Sequence, residues 1–169
     1  MRTLVLNQSY DVPPSVLMDA LLHPQLDAFM AERVPDLQSR TELRRVERGN
    51  VVERAVRCVP VPKIPEAARH AVKPDMIQWV EESRADRSTG VITVRVIPDS
   101  FRSVFDFQGT MRITPQGSGA LRRVEGQLTI KMLLVGKLVE DYLIEEIRRN
   151  MEAEGEALRE FVRTVARAA

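Results

Sequence analysis

The chain has 169 residues, 44% of them apolar, and a formal net charge of +1. That length suits one domain spanning 1–169 with a real core, and the near-cancelled charge excludes the basic excess of a dedicated nucleic-acid binder. No run approaches the ~18 apolar residues of a membrane-spanning helix, the apolar stretch after Met1 is too short for a signal-peptide core, and the lone Cys58 has no partner for an internal disulfide, so a cytoplasmic protein is expected.

Leu4–Val12 reads as a first strand ended by Pro13-Pro14. Two short helices follow, Ser15–Leu22 and Gln25–Glu32, separated by Pro24 and closed by Pro35, with Ser15 as the N-cap of the first. A ladder of three hairpins comes next. Glu42–Arg48 and Val51–Val59 flank Gly49-Asn50, Met76–Arg84 and Val91–Ile97 flank a polar link ending in Thr89-Gly90, and Val104–Thr114 and Leu121–Met132 flank the turn cluster Pro115–Gly119. Between the first and second hairpins, Pro60–Pro74 carries four prolines, which deny it a place inside a sheet, and Pro65 is placed to begin a short helix there.

Alternation is clearest late in the ladder. Phe105, Phe107, Gly109, Met111 and Ile113 share one face against Asp106, Gln108, Thr110 and Arg112, and Val124, Gly126, Leu128, Ile130 and Met132 oppose Arg123, Glu125, Gln127 and Thr129. One buried and one wet face mark an antiparallel sheet covered on one side only. The cover is a final helix, Val135–Val165, whose apolar stripe runs Val135, Val139, Tyr142/Leu143, Ile147, Met151, Leu158, Phe161/Val162, Val165 and whose opposite face is charged, beginning with Glu140 and Asp141. About 30 residues at ~1.5 Å each make a rod of about 45 Å, long enough to cross a sheet. Its stripe is interrupted at Gly155, where either the sheet backbone comes close or space is left for a ligand.

No metal-ligand spacing links His23, His70 and Cys58, and no nucleophile elbow, phosphate loop or dinucleotide fingerprint occurs, so neither a metal, a cofactor nor a catalytic set is expected. Of Glu81 and Glu82, in a predicted strand, one must face inward, with solvent at the strand end as its expected contact. In the arginine-rich hairpin a two-residue turn sets Glu42 opposite Arg57, Leu43 opposite Val56 and Arg45 opposite Arg54. Arg54 then shares the face of Val52, Val56 and Cys58, which should be buried, and an arginine there needs an anionic partner. A buried ion pair, a register shift, a side chain that snorkels past the sheet edge, or the carboxylate or phosphate of a ligand would each satisfy it.

The order of one strand, two short helices, six strands and a long last helix resembles the START-like superfamily, with its birch-pollen-allergen, polyketide-cyclase and lipid-transfer branches. The stretch Gly126–Glu140, a strand running through Val135-Gly136 into the last helix, and the junction Tyr10–Val16 are similar to a bacterial START-like family of unknown function. The resemblance implies an α+β helix-grip fold: a seven-stranded, mostly antiparallel curved sheet with two short helices after strand one, gripping the carboxy-terminal helix. It also implies a cavity between sheet and helix, with the loop after the arginine-rich hairpin near one mouth.

A twisted sheet and a straight rod cannot touch along their whole length. With only five Phe, two Tyr and one Trp to fill the gap, and with small residues at Gly109 and Gly126, an elongated apolar cavity is expected. Its candidate ligand-binding residues are Trp79, Phe105, Phe107, Met111, Leu128, Tyr142 and Met151, with Arg54 as polar anchor. The expected partner is an apolar or amphipathic, lipid-like small molecule, a fatty acid or other amphipathic anion before a sterol, with room for a transient membrane contact. A cyclase-type enzyme using the cavity as a mould and a protein-interaction module are the competing functions.

Overall fold

The computed structural model describes residues 1–64, 66, 69–70, 73–134 and 136–168, with side chains through Val165. Strict alternation of burial makes β1 (Arg2–Tyr10), whose inner row is Leu4, Leu6, Gln8 and Tyr10. Pro13 occupies the cap position of α1 (Pro14–Leu21), with Pro14 in its first turn and no side-chain cap bond, so the backbone geometry of proline starts this helix rather than Ser15. A short turn leads into α2 (Leu26–Arg33).

The remaining strands are β2 (Leu37–Arg48), β3 (Val51–Pro60), β4 (Trp79–Asp86), β5 (Val91–Pro98), β6 (Phe105–Gln116) and β7 (Gly119–Ile130). β2 begins five residues before the expected Glu42, and β4 begins at Trp79 because Pro74–Ile77 winds into one 3-10 turn. The expected helix start at Pro65 lies outside the described residues. One sheet results, in the order β1-β7-β6-β5-β4-β3-β2, with every neighbouring pair antiparallel. Its cover is α3 (Gly136–Ala168).

Two apolar cores hold these layers together. The larger joins α1, α2 and the second half of α3 to the sheet through Leu17, Met30, Val52, Ile113, Leu158 and Phe161. The smaller lies under the first half of α3, where Leu4, Phe107, Leu128 and Ile130 meet Ile144. Phe107, Val124, Leu128 and Ile130 are buried as expected, and Phe105 and Met111, half-buried, pack on the cores. Gln108 is exposed, so the register read from alternation stands.

Two expectations about the helix are corrected. Glu140, assigned to the charged face, is buried: it accepts a hydrogen bond from the Ile130 backbone N–H at 2.8 Å and one from the Met1 amine at 2.7 Å, fastening the start of α3 to the ends of β7 and β1. Gly155 faces neither sheet backbone nor open space, because the Gln8 side chain fills the position a Cβ would take.

Candidate functional site

The cores stop short of meeting. Between them, bounded by the first half of α3 and the inner faces of β4, β5 and β6, lies a cavity of about 410 Å³. Volumes of this size, mostly apolar with a few polar groups, are the usual form of small-molecule sites. Trp79, Val96, Phe105, Phe107 and Met111 project from the strands, and Tyr142, Leu143, Ile147 and Met151 from the helix. Pro60, Val61 and Lys63 of the proline-rich connection and Phe101 of the β5–β6 loop stand on its rim. An open trough of about 820 Å³ on the other face of the sheet, among Glu53, Arg84, Arg95 and Gln127, is lined by the charged, solvated side of the strands.

Of the expected wall residues, six line the cavity and two do not. Leu128 is fully buried in the smaller core beneath it. Arg54 stands outside the lining with its guanidinium already taken: Nε donates to Glu42 at 2.5 Å, Nη2 to Asp27, and Nη1 to the Leu21 carbonyl at 3.5 Å. The expectation that it anchors a ligand in this cavity is therefore corrected in favour of the buried ion pair. Gly126 opens no space either, since a Cβ there would stand 2.8 Å from Cζ of Phe107, whose ring covers it.

A β-bulge explains the ion pair. The hairpin pairs as expected near its turn, with Arg45 opposite Arg54, but slips by one residue between Glu42 and Arg44. Leu43 is extruded to solvent, and Glu42 comes opposite Val56 and Arg40 opposite Cys58, on the inner face. One extra residue thus brings a carboxylate to Arg54 and a second arginine inside.

Arg40 organises the polar end of the cavity. Its guanidinium reaches Asp27 at 3.1 Å, Glu81 at 3.2 Å and Glu154 at 3.6 Å. Burial opposes its charge, yet these carboxylates, Glu81 foremost, hold it well above the usual arginine range. Trp79 Nε1 donates to Glu81 at 3.2 Å, so Glu81 is bound on both oxygens and faces the cavity instead of solvent. Burial pushes the Glu154 carboxyl up, Glu81 adds to the shift, and Arg40 and Arg122 oppose it. Burial, then Glu81, also raises the Cys58 thiol far beyond its ordinary range, which makes it inert.

Behind Met111 lies one more buried cation. Arg122 Nη1 donates to Gln8 at 3.2 Å and Nη2 touches the Met111 sulfur at 3.3 Å, while Nε has no partner among the described residues. Gln8 in turn donates to the Met151 carbonyl at 3.0 Å, tying β1 to α3 beside the cavity.

The sequence from residue 6 to 162 matches the model of a family described as a protein of unknown function (DUF2505). The chain belongs to that family. It has no match among curated proteins. Its fold is shared with TTHA0849 from Thermus thermophilus, at 16% identity and a TM-score of 0.71 over 97% of this chain and 99% of that one. The Zhui aromatase/cyclase of a Streptomyces species aligns at 13% identity and 0.66, over 96% and 93% of the two chains. Norcoclaurine synthase from Thalictrum flavum aligns at 14% and 0.64, over 95% and 86%. These likenesses establish the START-like helix-grip fold of the family member described here. Among its described residues no helix is long and apolar enough to cross a membrane.

Sequence reasoning missed Arg40, Glu81 as a cavity group, Glu154, Arg122 and Asn150, which also lines the cavity from α3. Signals existed for three of them: Glu81 has the strand parity of Trp79, and Glu154 lies one turn beyond Met151 on the apolar stripe. Arg122 has the parity of Val124. Nothing local announces Arg40, whose inward aim depends on the bulge.

Proposed function

We propose that this protein binds an apolar or amphipathic small molecule in the cavity between sheet and α3. The observation that carries the reading is a mostly apolar volume of about 410 Å³ left between two separate cores, with Trp79, Phe105, Phe107, Met111, Tyr142 and Met151 as its binding walls. Apolar surface left unfilled inside a domain forfeits dispersion and hydrophobic stabilisation, and a matching ligand restores both.

The charge of the lining narrows the class. Asp36, Glu81, Glu146 and Glu154 face the cavity, each already paired with a cation: Asp36 with Lys63 at 2.5 Å, Glu81 and Glu154 with Arg40, and Glu146 with Arg149. With Arg54 unavailable, an anionic head group would find no free cation among the described lining residues. An uncharged or cationic head fits better, with Glu81 and Glu154 as hydrogen-bond partners. This replaces the fatty acid anticipated from Arg54.

Native mass spectrometry of protein prepared without detergent should show a co-purifying mass. A long-chain amine or alcohol should displace a neutral apolar dye at lower concentration than the carboxylate of equal length, and Val96→Trp, which plugs the wall, should abolish dye binding. Absence of saturable dye binding, or binding indifferent to the plug, refutes the reading. A cyclase-type enzyme is the second reading, favoured by one observation: Glu154 faces the cavity and burial shifts its carboxyl towards the protonated form, the direction a general acid needs. Turnover lost in Glu154→Gln with dye binding retained would support it.

A further inference from the structure

Next to the cavity, on the side of Phe101 and Tyr142, the surface carries a second unusual feature. Leu133 and Leu134 are 94% and 104% exposed, and Leu138 and Tyr142, one helical turn apart on α3, are 73% and 56% exposed. Phe101, half exposed on the β5–β6 loop, joins them: the Val104 carbonyl at the end of its loop accepts from the Lys131 N–H at 2.7 Å, and Phe101 and Tyr142 line the same cavity. Large apolar side chains grouped in this way on a soluble surface mark an interaction site.

The backbone is strained to present them. Among the described residues only Phe101 and Leu134 combine a side chain with a left-handed φ, of 65° and 69°. That conformation is costly for bulky residues and persists where surrounding structure imposes it, often at functional sites. Here both strained residues turn an apolar side chain towards water.

Charge identifies the occupant. From Gly126 to Val139 the sequence contains no acidic residue, and its charged positions are Lys131 and Lys137, both exposed; the β5–β6 loop adds Arg102, also exposed. The nearest carboxylates of α3 are engaged, Glu140 buried on Ile130 and Asp141 bound to Arg2. Leucines at the tip with lysines and an arginine around them match an anionic bilayer, whose interior takes the side chains and whose headgroups take the cations.

We infer that the tip formed by residues 131–134 and 136–138 and the β5–β6 loop docks on anionic lipid surfaces, with Phe101 and Tyr142 of the cavity rim against the membrane. This goes beyond ligand binding and does not require it, because the tip residues are exposed whether or not the cavity is filled.

The test is co-sedimentation of the full chain with phosphatidylcholine vesicles, with and without phosphatidylserine. The wild type should bind the anionic vesicles and lose binding as salt is raised. Leu133→Glu/Leu134→Glu should weaken binding by about tenfold or more, since it removes inserted apolar surface and adds repelled charge. Lys131→Glu/Lys137→Glu should act similarly on anionic vesicles. Both double variants change exposed side chains and should keep the wild-type melting curve. No binding to anionic vesicles, or binding unaffected by both variants, overturns the inference. So does a dimer seen by analytical ultracentrifugation that dissociates in Leu133→Glu/Leu134→Glu while vesicles remain unbound, which would assign the tip to a second copy of the chain. Dye binding measured on the same samples separates failure of docking from failure of the cavity reading.

Discussion

Leu158→Ala and Ile147→Ala remove similar side chains from one helix, but their costs should differ. Leu158 has no exposed surface and sits in the larger core with Leu17, Val52 and Phe161. Losing three carbons from a closed site costs about 2.4 kcal/mol at ~0.8 each. A void of about 60 Å³ left unrelaxed adds about 1.4 kcal/mol at ~24 cal/mol per Å³. The expected loss is therefore about 4 kcal/mol, or ~8–16 °C in Tm for a chain of this size. Ile147 is half-buried on the wall of a space that is already open, so its truncation creates little new void. About 1–1.5 kcal/mol is expected there, mostly lost transfer energy. Urea melts of both variants, with unchanged m-values, measure the difference. If Leu158→Ala costs no more than Ile147→Ala, the division into a packed core and an unfilled chamber is wrong.

Asp27 joins Arg40 and Arg54 in the interior, so Asp27→Ala, which takes one carboxylate from each of two buried arginines while Glu42, Glu81 and Glu154 remain, should destabilise by about 2–3 kcal/mol in the same urea assay. Gly126→Ala places a Cβ against the Phe107 ring and should cost about 1–3 kcal/mol while pushing the ring into the cavity, read as reduced dye capacity. For Glu154 the folded carboxyl has a raised pKa, so its contribution to stability is complete below the ordinary glutamate value of about 4.3 and is lost as pH rises through the folded value. Glu154→Gln should therefore gain stability relative to wild type as pH is raised above ~4 in thermal melts, and a relative loss over that window would contradict the assignment.

The sheet was legible because its strands report their own surroundings. The alternation in β6 and β7 identified Phe107, Leu128 and Ile130 as buried, since a residue on a half-wet strand has only two directions to face. The stripe of α3 was equally plain at Leu158, Phe161 and Val162, although Ile144, one position past Leu143, escaped it. Parity alone also set Phe105 and Met111 on the inner face. What parity cannot foresee is a change of parity. The bulge at Leu43 reversed the facing of Arg40 and Glu42, and with it the meaning of Arg54, which changed from a free anchor to a satisfied ion pair. Buried charge was the second blind spot. Glu140 looks like an ordinary surface glutamate in the sequence, and only the distant Ile130 gives it a place inside, whereas Glu154 stands at stripe spacing from Met151 and was hidden by its charge alone.

The position of β1 has a consequence for the order of assembly. β2 to β7 each pair with the strand next in sequence, whereas β1 lies against β7, with Arg2 opposite Leu128. The ladder can therefore zip from turn to turn as the chain emerges, but the first strand must wait for the last. At ~5–20 residues per second of synthesis that wait is on the order of ten seconds. During it Leu4 and Leu6 have no cover and the edge of β1 is open to foreign strands. Closing a loop of this length is entropically slow and rewards the chain only at the end, so docking of β1 should be the late step of folding. Agents that capture β1 in the meantime would act on the nascent chain and leave the finished protein untouched.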